Sequence, residues 1–278
     1  MAIEVEIDWA SQVNIEAVEA LALTEQLTSI GGLSLTQKAA NSGGRWGPMD
    51  GAVIMQLGTD FYMAGGWFGD NYSTDWTGGM ATNLVYKTSN NGQTWSVVRA
   101  HDLTPDATHF TPRHTSAFVV HSVSGTEYMY LLCGDSAAID CDVRRSIDGV
   151  TWTKVNTVEP GYHGYFLMAA GSLGGNLYLA GGHNSLIASG ATNVVWKSTD
   201  DGVTWTSMGA APWAARFCLD RLPLHDGKLW VVSGGKYDND PGNRVYYNDV
   251  WSFDGTTWTE VLANGHCLLY TSPSPRDS

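Results

Sequence analysis

The amino-acid sequence predicts an all-β protein assembled from repeated four-stranded units, and three observations carry that expectation. Gly-x-Thr-Trp occurs four times, at 92–95, 149–152, 202–205 and 255–258, so the tryptophans stand 57, 53 and 53 residues apart. A glycine pair precedes the copies, Gly65-Gly66, Gly181-Gly182 and Gly234-Gly235, with Cys133-Gly134 as a degenerate version. Between pair and tryptophan lies a short apolar patch: NLVY (83–86), DVR (142–144), NVVW (193–196) and NDVW (248–251). Short β-rich segments punctuated by glycine build a sandwich, a barrel or a propeller. A period near 50 with four strands inside each unit selects the β-propeller.

Residues 1–44 stand outside the repeat. IEVEI (3–7) alternates as a strand does, and SQVNIEAVEALALTEQLTS (11–29) has helical spacing, with Val18 and Leu21 on one face and Ser11 or Asn14 as the cap. In the last complete unit the strands read RFCLDRLPLH, KLWVVSGG, NDVWSF and TWTEVL. Every unit turns on Asn91-Gly92, Asp148-Gly149, Asp201-Gly202 or Asp254-Gly255. Such dipeptides are strong hairpin signals, because a type I′ turn needs φ > 0 at both central residues. Asp148, Asp200, Asp201 and Asp254 are therefore expected to be structural turn residues that bond exposed N–H groups. At the other end of the chain, CLLYTSPSPRD (267–277) resembles the translation of a transposase adapter used in short-read sequencing. That resemblance implies a non-native tail over 267–278 and a truncated propeller over 45–266.

The combination of glycine pair, NDVW and closing tryptophan resembles the kelch repeat, and TPRH (111–114) is similar to the opening of kelch blades. KSTDDGVTW (197–205) resembles the Asp-box of sialidases, Ser-x-Asp-x-Gly-x-Thr-Trp, through Ser198, Asp200, Gly202, Thr204 and Trp205. In the first copy Thr88 and Asn90 fill the Ser and Asp positions, in the second Arg145 and Ile147, in the fourth Trp251 and Phe253. The resemblance covers residues 45–262. It implies a kelch-like β-propeller of the galactose oxidase central-domain type, carrying Asp-box (BNR-type) hairpins. Four four-stranded blades are visible, and the native ring is expected to have six or seven.

Composition narrows the function. The net charge is −13, which speaks against binding phosphate backbones or anionic membrane surfaces, since both need Lys and Arg. No apolar run reaches the roughly 20 residues that span a bilayer. MAIEVEIDWASQ lacks the basic start and apolar core of a signal peptide. A cytoplasmic location is expected as encoded, with a virion as the alternative. Outside the tail, Cys133, Cys141 and Cys218 form neither a disulfide framework nor a zinc pattern. No cofactor and no metal site is expected, and the acid clusters of the loops lack EF-hand spacing for calcium.

Strands in such a unit alternate in direction. The Asp-Gly turns therefore share one face, and the long loops 67–82, 99–112, 183–192 and 236–247 share the other, where binding residues usually sit. Counting back from the glycine pairs puts Arg45, Arg113, His163 and Arg216 at one position near the channel mouth, 20, 20, 18 and 18 residues before them. Such a ring suits a carboxylate on a ligand, or else ties neighbouring blades together. Trp67, Asp70 and Trp76 in one loop, and Tyr237 and Arg244 in another, offer aromatic platforms beside hydrogen-bonding groups. The chain contains no Gly-x-Ser-x-Gly, His-Glu-x-x-His, P-loop or Rossmann pattern, and no catalytic residue is assigned. The expected function is a non-catalytic binding module for a protein or glycan, anionic ligands included, without nucleic-acid or membrane partners. The alternatives are a carbohydrate-active enzyme, epimerase-like or sialidase-like, and a structural appendage of a virion or surface.

Overall fold

A computed structural model describes residues 49–68, 80–135, 141–156, 165–184, 190–217, 219, 221–236 and 244–265. All belong to the second of the two units into which the chain divides, Gly43–Ser278. Among them every regular element is a strand. The first stretch holds β1 (Met49–Asp50), β2 (Val53–Leu57), β3 (Asp60–Ala64), β4 (Trp67–Phe68), β5 (Met80–Ala81), β6 (Val85–Thr88) and β7 (Ser96–Arg99). The second holds β8 (Ala117–Val123), β9 (Thr126–Leu132), β10 (Val143–Ser146) and β11 (Thr153–Lys154). The third holds β12 (Tyr165–Phe166), β13 (Ala169–Leu173), β14 (Asn176–Ala180), β15 (His183–Asn184), β16 (Val194–Ser198) and β17 (Thr206–Ala210). The fourth holds β18 (Leu224–His225), β19 (Lys228–Val232), β20 (Gly235–Lys236), β21 (Val245–Tyr246), β22 (Val250–Phe253) and β23 (Trp258–Leu262).

Four four-stranded antiparallel sheets result, ordered β2-β3-β6-β7, β8-β9-β10-β11, β13-β14-β16-β17 and β18-β19-β22-β23, beside the smaller sheets β1-β4-β5, β12-β15 and β20-β21. The pairings Ala64↔Val85, Leu132↔Val143, Ala180↔Val195 and Val232↔Val250 superimpose them residue by residue. In that register every second strand ends in two residues of positive φ: Gly65-Gly66 at 69° and 118°, Cys133-Gly134 at 52° and 117°, Gly181-Gly182 at 65° and 103°, Ser233-Gly234 at 61° and 102°. The fourth pair is thus Ser233-Gly234, one residue earlier than expected. Its first position is ordinary left-handed helix, which a side chain tolerates at some cost. The second lies beyond that region and demands glycine.

The turns between third and fourth strands also correct the expectation. Both central residues have positive φ at Asn91-Gly92 (57° and 82°) and at Asp201-Gly202 (58° and 90°). In the second and fourth sheets only Gly149 and Gly255 do, because those loops are shorter.

The inner strands pack in succession, β2 against β8, β8 against β13, and β13 against β18 and β19. Each seam between neighbouring sheets holds one apolar cluster. The closing tryptophan of each later sheet packs into the seam with the sheet before it: Trp152 with Tyr62 and Val85, Trp205 with Tyr130 and Val143, Trp258 with Tyr178 and Val195. Trp152 is fully buried, donates to Gly149 O at 3.0 Å, and meets the Phe110 ring edge-on at 5.3 Å. No helix long and apolar enough to cross a membrane occurs among the described residues.

His109 is fully buried beside this cluster, its ring 4.7 Å from that of Phe110. Desolvation and nearby Arg99 pull its pKa from 6.5 to about 4, against the opposing pull of Asp102. Below pH 6.5 the unfolded chain takes up a proton that the native state refuses until about pH 4. Stability is therefore lost as pH falls through that window, by on the order of 3 kcal/mol from this residue. Burial also depresses His101 and His183, so they add to the same limb. In urea unfolding between pH 7 and 4, His109→Leu should give a visibly shallower loss than the parent.

Candidate functional site

Two of the arginines expected at the channel mouth serve as ties between sheets. The backbone of Arg113 is docked on the first sheet: its N–H donates to Thr82 O at 3.1 Å and its carbonyl accepts from Gly66 N at 2.9 Å. Its side chain enters the second sheet, with Nη1 2.6 Å from Asp142 Oδ1 and 3.1 Å from Cys133 O. Arg216 repeats this one pair of sheets later. Its backbone bonds Thr192 O and Gly182 N, and its guanidinium lies 2.5 and 2.8 Å from the two Asp249 oxygens and 4.3 Å from the centre of the Tyr247 ring. Both guanidinia are fully buried. Burial alone would raise the two carboxyls, but Arg113 and Arg144 hold Asp142, and Arg216 and Trp251 hold Asp249, below the ordinary value.

These facts correct the arginine ring. Arg113 and Arg216 are matched by the protein's own acids and cannot face a ligand, so they give an anionic ligand no support. Their backbone position precedes the bridges His114↔Asp135 and Phe217↔Gly235. In the other two sheets the matching ladders place Met49 and Tyr165 there. Counting failed because β8 and β9 have seven residues each, against five in β2, β3, β13 and β14. Arg45 and His163 lie outside the described residues. The ion-paired Asp stands one residue before the aligned valine in the second and fourth sheets, and an amide stands two residues before it in the first, third and fourth, as Asn83, Asn193 and Asn248. Asn83 donates to Asp102 O and Phe110 O, and Asn193 to Ala211 O and Trp213 O, all within 3.0 Å.

The Asp residues of the turns bond turn groups. Asp200 accepts from Ser198 Oγ at 2.8 Å, Thr204 N at 2.8 Å and Thr204 Oγ1 at 2.6 Å, while Ser198 Oγ accepts from Gly202 N at 2.9 Å. Thr88 and Asn90 reproduce this network. In the second sheet Ser146 and Asp148 take the two roles, in place of the expected Arg145 and Ile147. That loop is one residue shorter, so a fixed pattern slides off it. Asp254 accepts from the N–H groups of Thr257 and Thr256 and the Thr256 hydroxyl, which hold its carboxyl at about 2. Asp201 stands apart, because its side chain turns toward His121 of the second sheet.

At the other end of the sheets, beyond the positive-φ pairs, lies a layer rich in ring side chains. Its residues are opposed in the register: Asp50 and Trp67, His114 and Asp135, Phe166 and His183, Phe217 and Gly235. The Trp67 and His114 rings are 5.4 Å apart, His114 Nε2 is 3.9 Å from Asp135 Oδ2, and His183 lies 4.6 Å from Phe166 and 5.4 Å from Phe217. Burial lowers the His183 pKa against the pull of Asp135, which keeps the ring neutral near pH 7. Trp67 was the sequence-expected member; TPRH pointed at His114 without showing its partners, and Asp135 and His183 carried no local signal. Asp70, Trp76 and Tyr237 lie outside the described residues. Arg244 is exposed just before β21. Among the described residues no group of His, Cys, Asp and Glu has the arrangement of a metal site. Cys133 and Cys141 are buried free thiols, and burial raises Cys133 well above its ordinary pKa.

If Arg216 and Asp249 act only as a tie, Arg216→Met alone should cost about 3–5 kcal/mol in urea unfolding, by stranding a buried carboxylate. Pairing it with Asp249→Leu should recover most of that loss. The chain matches no known family model and no curated protein.

Proposed function

We propose that the four sheets are blades of a kelch-like β-propeller with Asp-box-type hairpins, and that its long-loop end is a glycan-binding surface. Three features support the propeller reading: inner strands packed in succession, a tryptophan carried into each preceding seam, and third-to-fourth-strand turns gathered at the end opposite the positive-φ pairs. The outermost faces support it further. Ile54, Met63, Tyr86 and Val97 form a cross-strand row on the side of the first sheet away from the second; Met63 and Tyr86 are buried, and Ile54 and Val97 are half exposed. Val232, Val250 and Leu262 form the matching row on the fourth. The half-exposed Ile54, Val97 and Val232 are apolar surface that a further blade would cover.

The observation that carries the binding reading is the half-buried Trp67 ring against His114, itself beside Asp135. An aromatic face next to an imidazole and a carboxylate suits a sugar ring, whose apolar face stacks while its hydroxyls bond at the rim. Phe166 and Phe217 extend the apolar floor, and His183, neutral, both donates and accepts. A peptide ligand is the second reading, since exposed Tyr246 and Val245 border the same end.

The test is a panel of immobilised neutral and acidic oligosaccharides, followed by tryptophan fluorescence titration of the hits. Trp67→Ala and His114→Ala should each weaken binding by about tenfold or more, near 1.4 kcal/mol, with unchanged unfolding midpoints. Binding that survives both substitutions would move the site elsewhere, and a blank panel would leave the peptide reading as the one to pursue.

A further inference from the structure

We propose that Ser172, His121 and Asp201 form a nucleophilic acyl-transfer site opening on the cavity between the inner strands. The cavity measures about 610 Å³ and takes wall residues from every sheet, among them Ile54, Phe118, Ser172 and Leu222. Ser172 Oγ lies 2.8 Å from His121 Nδ1, and His121 Nε2 lies 3.1 Å from Asp201 Oδ1. An ionised carboxylate only accepts, so Nε2 carries the proton and Nδ1 is left to receive one from the serine hydroxyl. That is the order of nucleophile, base and positioning acid.

The array is held from behind. Asp201 sits at φ 58° in its turn, and its carbonyl accepts from Tyr130 Oη at 3.0 Å. The Tyr130 ring meets His121 edge-on at 5.7 Å, and Arg145 donates to the same hydroxyl at 3.2 Å. Gly174-Gly175 makes a two-residue turn that pairs Leu173 with Asn176, and Ala170 O is turned outward, accepting from Leu222 N at 2.9 Å. Backbone groups two residues apart on a strand point the same way, so the Ser172 N–H lies on the same strand edge as Ala170 O, where Leu222 packs.

The repeat shows that packing alone does not require these residues. In the common register the positions of His121 and Ser172 are filled by Leu57 and Val120 between the first and second sheets, and by Leu173 and Leu224 between the third and fourth. A polar relay replaces an aliphatic pair at one seam only, where it costs desolvation. Local rules are broken in this way at functional sites.

In the reaction Ser172 Oγ bonds to an ester carbonyl carbon while its proton passes to His121 Nδ1. The C–O bond to the leaving group then breaks, and the proton goes to the departing alkoxide. Water repeats the path in reverse roles and releases the acid, so ester and water give acid and alcohol with no redox change. Phe118, Val120, Leu222 and Leu224 on the wall favour a short apolar acyl group. This site goes beyond the glycan reading and shares no residue with it.

The experiment uses the full chain with a fluorophosphonate probe and p-nitrophenyl butyrate. Mass spectrometry should find the phosphonyl adduct on Ser172, and Ser172→Ala and His121→Gln should each cut turnover by about 100-fold or more. Asp201→Asn should lower kcat with KM unchanged, because the wrong imidazole tautomer then faces the serine. A folded parent protein that gains no adduct at Ser172 overturns the proposal, as does turnover unaltered by Ser172→Ala. If the three residues are only an inter-sheet latch, the variants lose stability while the parent stays unreactive to the probe. The adduct is read on the parent, so a variant that fails to fold does not blunt the test.

Discussion

A four-stranded sheet that is apolar on both faces cannot bury itself; it needs a copy of itself on either side. This constraint organises the molecule. Val53 and Met55 alternate inward along β2 because the second sheet lies there, and Trp152 leaves its own sheet to fill the same seam. The positive-φ pair at the end of each second strand serves the same end. A Cβ on Gly66 would come within 2.7 Å of Met49 Sδ, and one on Gly65 within 2.7 Å of Arg113 O. The chain bends there so that the approach to the next sheet can dock on the previous one.

Seams made of apolar clusters alone slide easily, since dispersion and burial have little direction. The polar ties supply it. Arg113 and Arg216 each bond one sheet through the backbone and the next through the guanidinium. Asn83 and Asn193 tie the ends of the other two sheets to the segments that follow. The ion pair thus recurs at every second sheet, over a structural period of one. Two buried guanidinium–carboxylate pairs gain little net stability against apolar replacements, so their contribution lies in fixing position.

Much of this was legible because it is local. Glycine pairs and Asp-Gly turns announce themselves through backbone angles that few residues adopt, and three strands of the last sheet, β19, β22 and β23, fall within KLWVVSGG, NDVWSF and TWTEVL. What failed was counting. Two extra residues in each arm of the β8–β9 hairpin displaced the proposed arginine ring, and one residue fewer in a turn hid the pairing of Ser146 with Asp148. The relay was beyond reach for a different reason. Ser172 and Asp201 lie 51 and 80 residues from His121, and only the stacking of two sheets brings them together. The same holds for His183 beside Asp135.

The motif KSTDDGVTW shows how one short stretch divides its labour. Asp200 is consumed by the turn: both its oxygens bond Thr204 or Ser198. Because Asp200 and Gly202 hold the loop, the residue between them is locked at φ 58° with its side chain directed across the seam. In the first sheet the same position is Asn91, which keeps the conformation but would bring an amide in place of a carboxylate. In the second the shorter turn omits the position altogether. A carboxylate aimed at a buried histidine is therefore available at one seam of the repeat, and that seam is also where leucine gives way to His121. The two departures from the repeat meet in a single hydrogen-bonded line ending at a hydroxyl on the cavity wall. Their coincidence argues for chemistry at that point, since neither substitution improves the packing on its own.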